Sequence, residues 1–229
     1  MNFNRHFFPV LFFFFLSFNA CAQTGEDGKG SDNPANRYMN RADIDRLIDA
    51  FDSPSRAVWQ KPTEVISLFG DLNNMTIMDL GAGSGYFTFR LANHGAHVIA
   101  ADVNEEFQDE IRKKLEDKEF EPLRKLVSVR KVPYDNPGLQ PGEVDGILIV
   151  NTYHHLDDRT QYMKMALQGL KEGGKVVIVD YKTGISAGPP ESHKLSLDTA
   201  VNEMLLVGFS KLIIDTRMLE RQYVIIAEK

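Results

Sequence analysis

The most specific chemistry in this chain lies in the run Ile77-Met78-Asp79-Leu80-Gly81-Ala82-Gly83-Ser84-Gly85-Tyr86-Phe87. Apolar residues lead into a G-x-G-x-G turn, and a helical pattern leaves it. Such a turn suits close approach of a ligand to the backbone, because glycine allows the tight turn and puts no Cβ in the way. The spacing is not the G-x-G-x-x-G of dinucleotide sites. Asp79, two residues before Gly81, falls at the carboxyl edge of the expected strand, where its charge repels a pyrophosphate and attracts an ammonium group. Asp102 closes the next expected strand, 21 residues after Gly81. An acid there accepts hydrogen bonds from both hydroxyls of a ribose. Gly81, Gly83 and Gly85 would also serve a ligand-free strand–helix turn, and Asp102 would also suit a helix cap.

A second group follows the fourth apolar strand, in Asn151-Thr152-Tyr153-His154-His155-Leu156-Asp157-Asp158. Side chains at that strand end face the ligand crevice of an open α/β sheet. An imidazole there can take a substrate proton near neutral pH, and His154 is the better placed of the two. The competing role is to shape the pocket, with the other histidine packing locally. His154, His155, Asp157 and Asp180 lack a spacing diagnostic of a metal, and no metal is expected. The one cysteine, Cys21, excludes an internal disulfide and thiolate-held zinc or iron–sulfur centres.

Positioning these residues requires alternating strands and helices. Strands are expected at Thr76–Leu80, His97–Ala101, Val127–Val132, Val144–Val150 and Lys175–Asp180. Helical stretches lie between them at Tyr86–Asn93, Glu105–Leu115 and Arg159–Leu170. Repeated strand–helix units give an α/β fold, a parallel sheet covered on both faces. Two helices precede it, one over Asp43–Phe51 and one opened by Pro62. A helix over Leu197–Val207 precedes strands at Lys211–Asp215 and Gln222–Ala227, which read as an antiparallel hairpin. The loop Gly188-Pro189-Pro190-Glu191-Ser192-His193 follows the fifth strand, where substrate-facing loops lie; nothing in it names a substrate.

Of the 229 residues, 43% are hydrophobic and 25% charged, which disfavours disorder, collagen-like repetition and a polytopic membrane protein. The net charge of −6 disfavours a sequence-independent nucleic-acid binder. Residues 1–20 differ from the rest. Arg5 precedes a 12-residue apolar run, Phe7–Phe18, too short for the roughly 20 residues a spanning helix needs but suited to a signal peptide. Ala20-Cys21 after it resembles a bacterial lipobox, with Cys21 acylated as the mature first residue. Phe18 and Asn19 depart from the usual residues there. A plain signal peptide or an uncleaved anchor fits as well, and each predicts export of the remainder. Residues 21–36 read as a flexible tether, reaching roughly 20 Å on random-coil scaling, and residues 37–229 as the folded domain. Without Arg5, 25 basic residues stand against 32 acidic ones, a net −7 that argues against a globular surface clinging to anionic lipid.

From about Trp59 to Lys229 the chain resembles the class I S-adenosylmethionine-dependent methyltransferases. Asp79-Leu80-Gly81-Ala82-Gly83-Ser84-Gly85 looks like the family's first motif and Ala101-Asp102-Val103 like its second-strand acid. Pro133-Tyr134-Asp135 matches the position where members often bind the adenine amino group, although Asp-Asn-Pro-Gly is also turn chemistry. Asp145–Asn151 matches the fourth strand, Leu170–Asp180 the glycine turn and fifth strand, and Gly208-Phe209 the approach to the last hairpin. Trp59-Gln60-Lys61-Pro62 resembles a segment that closes over the cofactor in some relatives, and equally a helix–helix corner. The resemblance implies a Rossmann-like seven-stranded sheet in the order 3-2-1-4-5-7-6, with strand 7 antiparallel. It also implies S-adenosyl-L-methionine as cofactor, with Asp79 at its methionine end, the glycines admitting it to the backbone, Asp102 on its ribose and Asn151 lining the methionine side. The implied reaction is methyl transfer to a small-molecule or lipid-like acceptor.

Export sits awkwardly with a cofactor made in the cytoplasm. A membrane-tethered nucleoside-binding protein without turnover is therefore the second expectation. An NAD-dependent oxidoreductase is disfavoured by Asp79 and by the glycine spacing.

Overall fold

Adjacent residues of the central expected strands, as in Ile147-Leu148-Ile149 and Val176-Val177-Ile178, are apolar, so both faces there must be covered. The structure, a computed structural model, describes residues 31 and 33–229. Seven strands form one sheet in the order β3-β2-β1-β4-β5-β7-β6: β1 (Thr76–Leu80), β2 (His97–Asp102), β3 (Val127–Lys131), β4 (Val144–Val150), β5 (Leu170–Tyr181), β6 (Lys211–Asp215) and β7 (Gln222–Glu228). Strands β1 to β5 pair in parallel, and β7 runs antiparallel to both β5 and β6. The expected sheet order and the reversed seventh strand are both present.

Side-chain alternation divides the core into two layers. Ile77, Val98, Leu148, Val177 and Val224 face one way, onto α4 (Pro62–Ser67), α5 (Tyr86–Asn93) and α6 (Glu105–Glu116). Met78, Ile99, Ile147, Ile178 and Ile225 face the other, onto α7 (Arg159–Gly169) and α8 (Leu197–Val207). Ile77, Ile147, Leu148 and Ile178 are fully buried. Each such side chain contributes about 1.5–3 kcal/mol. The sheet is thus a rigid frame whose β1, β2, β4 and β5 carboxyl ends converge on one edge.

Three further helices precede this frame: α1 (Pro34–Met39), α2 (Ile44–Phe51) and α3 (Arg56–Gln60). Only α2 was expected from periodicity, and Asp43 caps it by accepting from the Arg46 N–H. The tether boundary moves. Asn33 caps α1, its Nδ2 donates to the His154 carbonyl at 3.0 Å, and Asn36 is buried. Order therefore begins ahead of Arg37, because two asparagines satisfy backbone carbonyls 119 and 121 residues away. The expected signal peptide, Cys21 and the tether up to residue 30 lie outside the described residues. Among the described residues no helix is long and apolar enough to cross a membrane.

Candidate active site

The carboxyl ends of β1, β2, β4 and β5, roofed by α1 to α3, enclose a crevice of about 440 Å³. That is the scale of a small-molecule site. At its floor the chain leaves β1 through Gly81, Gly83 and Gly85, all with positive φ (77°, 53° and 87°). At Gly81 two demands coincide. The backbone is left-handed, and a Cβ would lie 2.2 Å from the Thr152 Oγ1. No other residue fits there without displacing the β4 loop.

Asp102 ties this turn to β2. Its Oδ2 accepts from the Gly83 N–H at 2.9 Å and its Oδ1 from the Asn104 N–H at 2.9 Å. Burial raises its pKa, and those backbone donors oppose the rise. The cap-like bond to Asn104 leaves room for a ligand as well, since each carboxylate oxygen keeps a lone pair. Asp79, 3% exposed, accepts from the Thr88 hydroxyl at 2.6 Å. Burial lifts its pKa to about 6, against the lowering pull of the Thr88 hydrogen bond and the Arg56 charge.

At the β4 end, Asn151 adopts a left-handed backbone (φ 55°) and lines the crevice. His154 is buried on the following 3₁₀ turn, with Nδ1 2.9 Å from both oxygens of the buried Asp180 on β5. The Asp180 carboxylate also accepts from the His154 backbone N–H. An imidazole held this way at Nδ1 is fixed in tautomer and orientation, leaving Nε2 for other chemistry. His155 lies against it, with ring centroids 4.3 Å apart, and its Nδ1 meets Asn36 Oδ1 at 2.8 Å. Burial, then repulsion from His154, pushes the His155 pKa down to about 3, so its ring is neutral at physiological pH.

The structure therefore brings Asp79, Gly81, Gly83, Asp102, Asn151 and His154 to one crevice, with Gly85 beginning the helix behind it. Asp135 is not among the residues lining it. Val132, Pro133 and Tyr134 are, whereas Asp135 is exposed. The turn chemistry prevails here: Asn136 Oδ1 accepts from the Gly138 N–H at 2.7 Å and carries the chain away from the site. Trp59 lines the crevice with its ring 6.0 Å from Tyr181, and Lys61 makes the helix–helix corner in a left-handed conformation. The helix–helix corner is present, and it sets Trp59 on the crevice wall. Among the described residues no group of three or more His, Cys, Asp or Glu side chains is arranged to hold a metal.

Sequence reasoning missed Phe51, Arg56 and Tyr162, which line the crevice, and Gln60 and Gln222, buried behind it. The available signal was faint: Arg56 and Gln60 sit four apart on a short helix, hence on one face.

This sheet order, with β7 reversed and the glycine turn after β1, is the Rossmann-like methyltransferase fold. A crystal structure described as a "SAM dependent methyltransferase from Aquifex aeolicus" superimposes with a TM-score of 0.71 at 23% identity, covering 82% of this chain and 99% of that one. Residues 78–178 match the family described as "Methyltransferase domain". A curated relative from Geobacillus kaustophilus, described as an uncharacterized methyltransferase, is 27% identical over 78% of this chain and 75% of its own length. Another so described, from Mycobacterium tuberculosis, is 28% identical over 52% of this chain. There the match spans only 44% of the relative's length. The chain thus has the Rossmann-like methyltransferase fold, and its residues 78–178 are similar to the methyltransferase domain family.

Proposed function

We propose that the protein binds S-adenosylmethionine in this crevice and transfers its methyl group to a small-molecule or lipid-like acceptor. One observation carries the reading: two buried acids, Asp79 and Asp102, flank a three-glycine turn on the crevice floor. That pairing fits a nucleoside bearing an ammonium group and repels a dinucleotide pyrophosphate. The matched domain and the solved neighbours from Aquifex aeolicus and Listeria monocytogenes, both described as S-adenosylmethionine-dependent, support the cofactor.

When bound, the cofactor supplies an electrophilic methyl on a sulfonium. Asp102 accepts the ribose hydroxyls, Asp79 the ammonium, and Asn151 lines the amino-acid end. Residues of α1 to α3 cover the crevice from above. His154 is the group placed to take the acceptor's proton, with Asp180 orienting the ring and stabilising the imidazolium. The remainder is proximity and alignment.

The location belongs to the same proposal. The run Phe7–Phe18 and Ala20-Cys21 support an exported lipoprotein held at a membrane by Cys21. The acidic net charge supports a small-molecule acceptor over a nucleic acid. Isothermal titration with S-adenosylmethionine, S-adenosylhomocysteine and NAD tests the core of the reading. The first two should bind and NAD should not. Binding of NAD alone, or of none of the three, rejects it.

A further inference from the structure

The two outer strands of the sheet meet solvent differently. At one edge, β3 carries Ser128, Arg130 and Lys131, and Arg130 donates to the Gly138 carbonyl and to Glu143 of the loop that follows. An edge dressed with charge and braced by a loop discourages further pairing. At the other edge, β6 reads Lys211-Leu212-Ile213-Ile214-Asp215, apolar across its centre. It pairs with β7 alone, and no second strand lies against its outer side among the described residues. Ile213 and Ile214 are 40% and 44% exposed. A strand edge with unpaired backbone groups and exposed isoleucines is a ready template for another strand.

The pattern of β6 is its own complement. An antiparallel partner strand centred on Ile213 sets Lys211 opposite Asp215, Leu212 opposite Ile214, and Ile213 opposite its own copy. Residues opposite each other in such a pair share a face. The pairing with β7 assigns those faces. Leu212 and Ile214 lie opposite Ala227 and Ile225, on the side of α7 and α8; Lys211, Ile213 and Asp215 lie opposite Glu228, Ile226 and Val224, on the other. One face of the joint therefore sets aliphatic against aliphatic twice. The other flanks an isoleucine pair with two opposite-charge pairs. Both charged groups have room for this. The Lys211 side chain is more than half exposed and stands 3.3 Å from Glu228. Among the described residues Asp215 uses only Oδ1, on the Arg217 and Met218 N–H groups. Register is specified too. Sliding by two residues, which keeps the faces, sets Lys211 against Arg217 in one direction and Asp215 against Phe209 in the other.

We propose that β6 is the pairing edge for a second copy of this chain, joining two sheets through an antiparallel β6–β6 contact across a two-fold axis at Ile213. Such an interface is isologous and closes at two copies, so it does not propagate into fibres. An unrelated peptide can add to a free edge through its backbone alone. That would not require β6 to mirror itself in charge and in shape. Since β7 runs antiparallel to both neighbours, β6 is parallel to β5, and the two-fold axis turns one sheet end for end. The two crevices then open at opposite edges of the joined sheet, and no residue of β6 lines either one.

The test places one cysteine at a time in the full Cys21→Ser chain. Opposite Cα atoms of paired strands lie about 4.5–5.5 Å apart, inside the range that a disulfide spans. Ile213→Cys should therefore oxidise to a disulfide-linked dimer. The two copies of residue 214 lie on the diagonal, about 7–8 Å apart, so Ile214→Cys should stay largely reduced. So should Val58→Cys, an exposed position on α3. Sedimentation of the full chain in density-matched detergent should give two copies per particle. Ile213→Lys, which sets like charges opposite each other, should raise the dimer dissociation constant about tenfold or more. Thermal melting checks that each variant folds, and if Ile213→Lys does not, the cysteine variants decide. A one-copy particle at every concentration overturns the proposal. A dimer that Ile213→Lys leaves intact also overturns it, as does cross-linking at Ile214→Cys or Val58→Cys as ready as at Ile213→Cys. A one-copy particle in which Ile213→Cys resists a thiol reagent would give the edge to residues 1–30 of the same chain instead.

Discussion

His154 and Asp180 meet across the carboxyl ends of β4 and β5, with Nδ1 2.9 Å from each carboxylate oxygen and the histidine backbone N–H at 3.1 Å. Three contacts to one buried acid hold the ring in a single pose. If His154 takes the acceptor's proton, His154→Ala should lower kcat about 100-fold or more at nearly constant cofactor affinity. The loss should shrink for acceptors already ionised at the assay pH. Steady-state kinetics on a neutral and an ionised acceptor decide this. Joint loss of binding and turnover would instead make His154 a wall of the pocket.

Asp102 holds the loop at Gly83 and lines the crevice, so the proposed ribose role and the loop share one side chain. Asp102→Ala should weaken S-adenosylhomocysteine and 5′-methylthioadenosine alike, by about 2–4 kcal/mol, because both carry the ribose. It should also loosen the turn at Gly83, whose N–H it accepts. An unchanged dissociation constant in a folded variant removes Asp102 from the ribose.

Asp79 gives the site a pH dependence with a definite sign. Its pKa is raised from 3.8 to about 6 by burial. In the ligand-free protein the folded state therefore keeps this proton between those values while the unfolded chain has lost it. The stability this group contributes is full below about 4 and is lost as pH rises through about 6. Ligand binding runs the other way, because an ammonium needs the carboxylate. Affinity for S-adenosylhomocysteine should fall as pH drops below about 6, approaching tenfold per unit. Proton release in calorimetry should accompany it, and Asp79→Asn should abolish both. A flat affinity profile across that window would place the ammonium elsewhere.

Gly81 combines a positive φ of 77° with a Cβ position 2.2 Å from Thr152 Oγ1. Gly81→Ala should cost about 2–4 kcal/mol, adding left-handed strain to overpacking. Thr152→Ala in the same chain should recover only part of the overpacking, because its Cβ would still lie 2.8 Å away, and none of the strain. Urea unfolding of the two single variants and the double variant measures each part.

The anchoring proposal makes its own forecast. The native protein should partition into the detergent phase of a membrane fraction, and Cys21→Ser should release it or leave an unprocessed precursor. Mass spectrometry finding Met1 intact on most of the native protein would count against processing at Cys21.

The sequence exposed whatever lies close along the chain. Asp79 and the three glycines share one turn, and Asp102 closes the next strand, so type and spacing sufficed. The apolar runs specified the sheet because both faces of a parallel strand must be covered. Asp135 stands outside the crevice lining for the complementary reason: its four residues encode a turn as well as a ligand group, and only the fold shows which way the chain leaves β3. The hidden part is held by distance. Gln60 and Gln222 are 162 residues apart, Asn36 and His155 119 apart, and neither pair has a local signature. Asn33 and Asn36 read as part of a tether because composition counts solubility. It does not count the carbonyls of a remote turn that those side chains would satisfy.

The place of β7 between β5 and β6 has a consequence for biosynthesis. A chain emerging amino terminus first presents β1 to β5 in order, yet the interior slot beside β5 stays open until residues 222–228 have been made. Gln222 begins that strand, so the seven-stranded sheet and the buried Gln60–Gln222 hydrogen bond are incomplete on a shorter nascent chain. Such a chain exposes the apolar flank of β5 and holds no finished crevice. That flank is covered only once β7 has emerged, so the closing of the sheet is among the last events of the chain's synthesis.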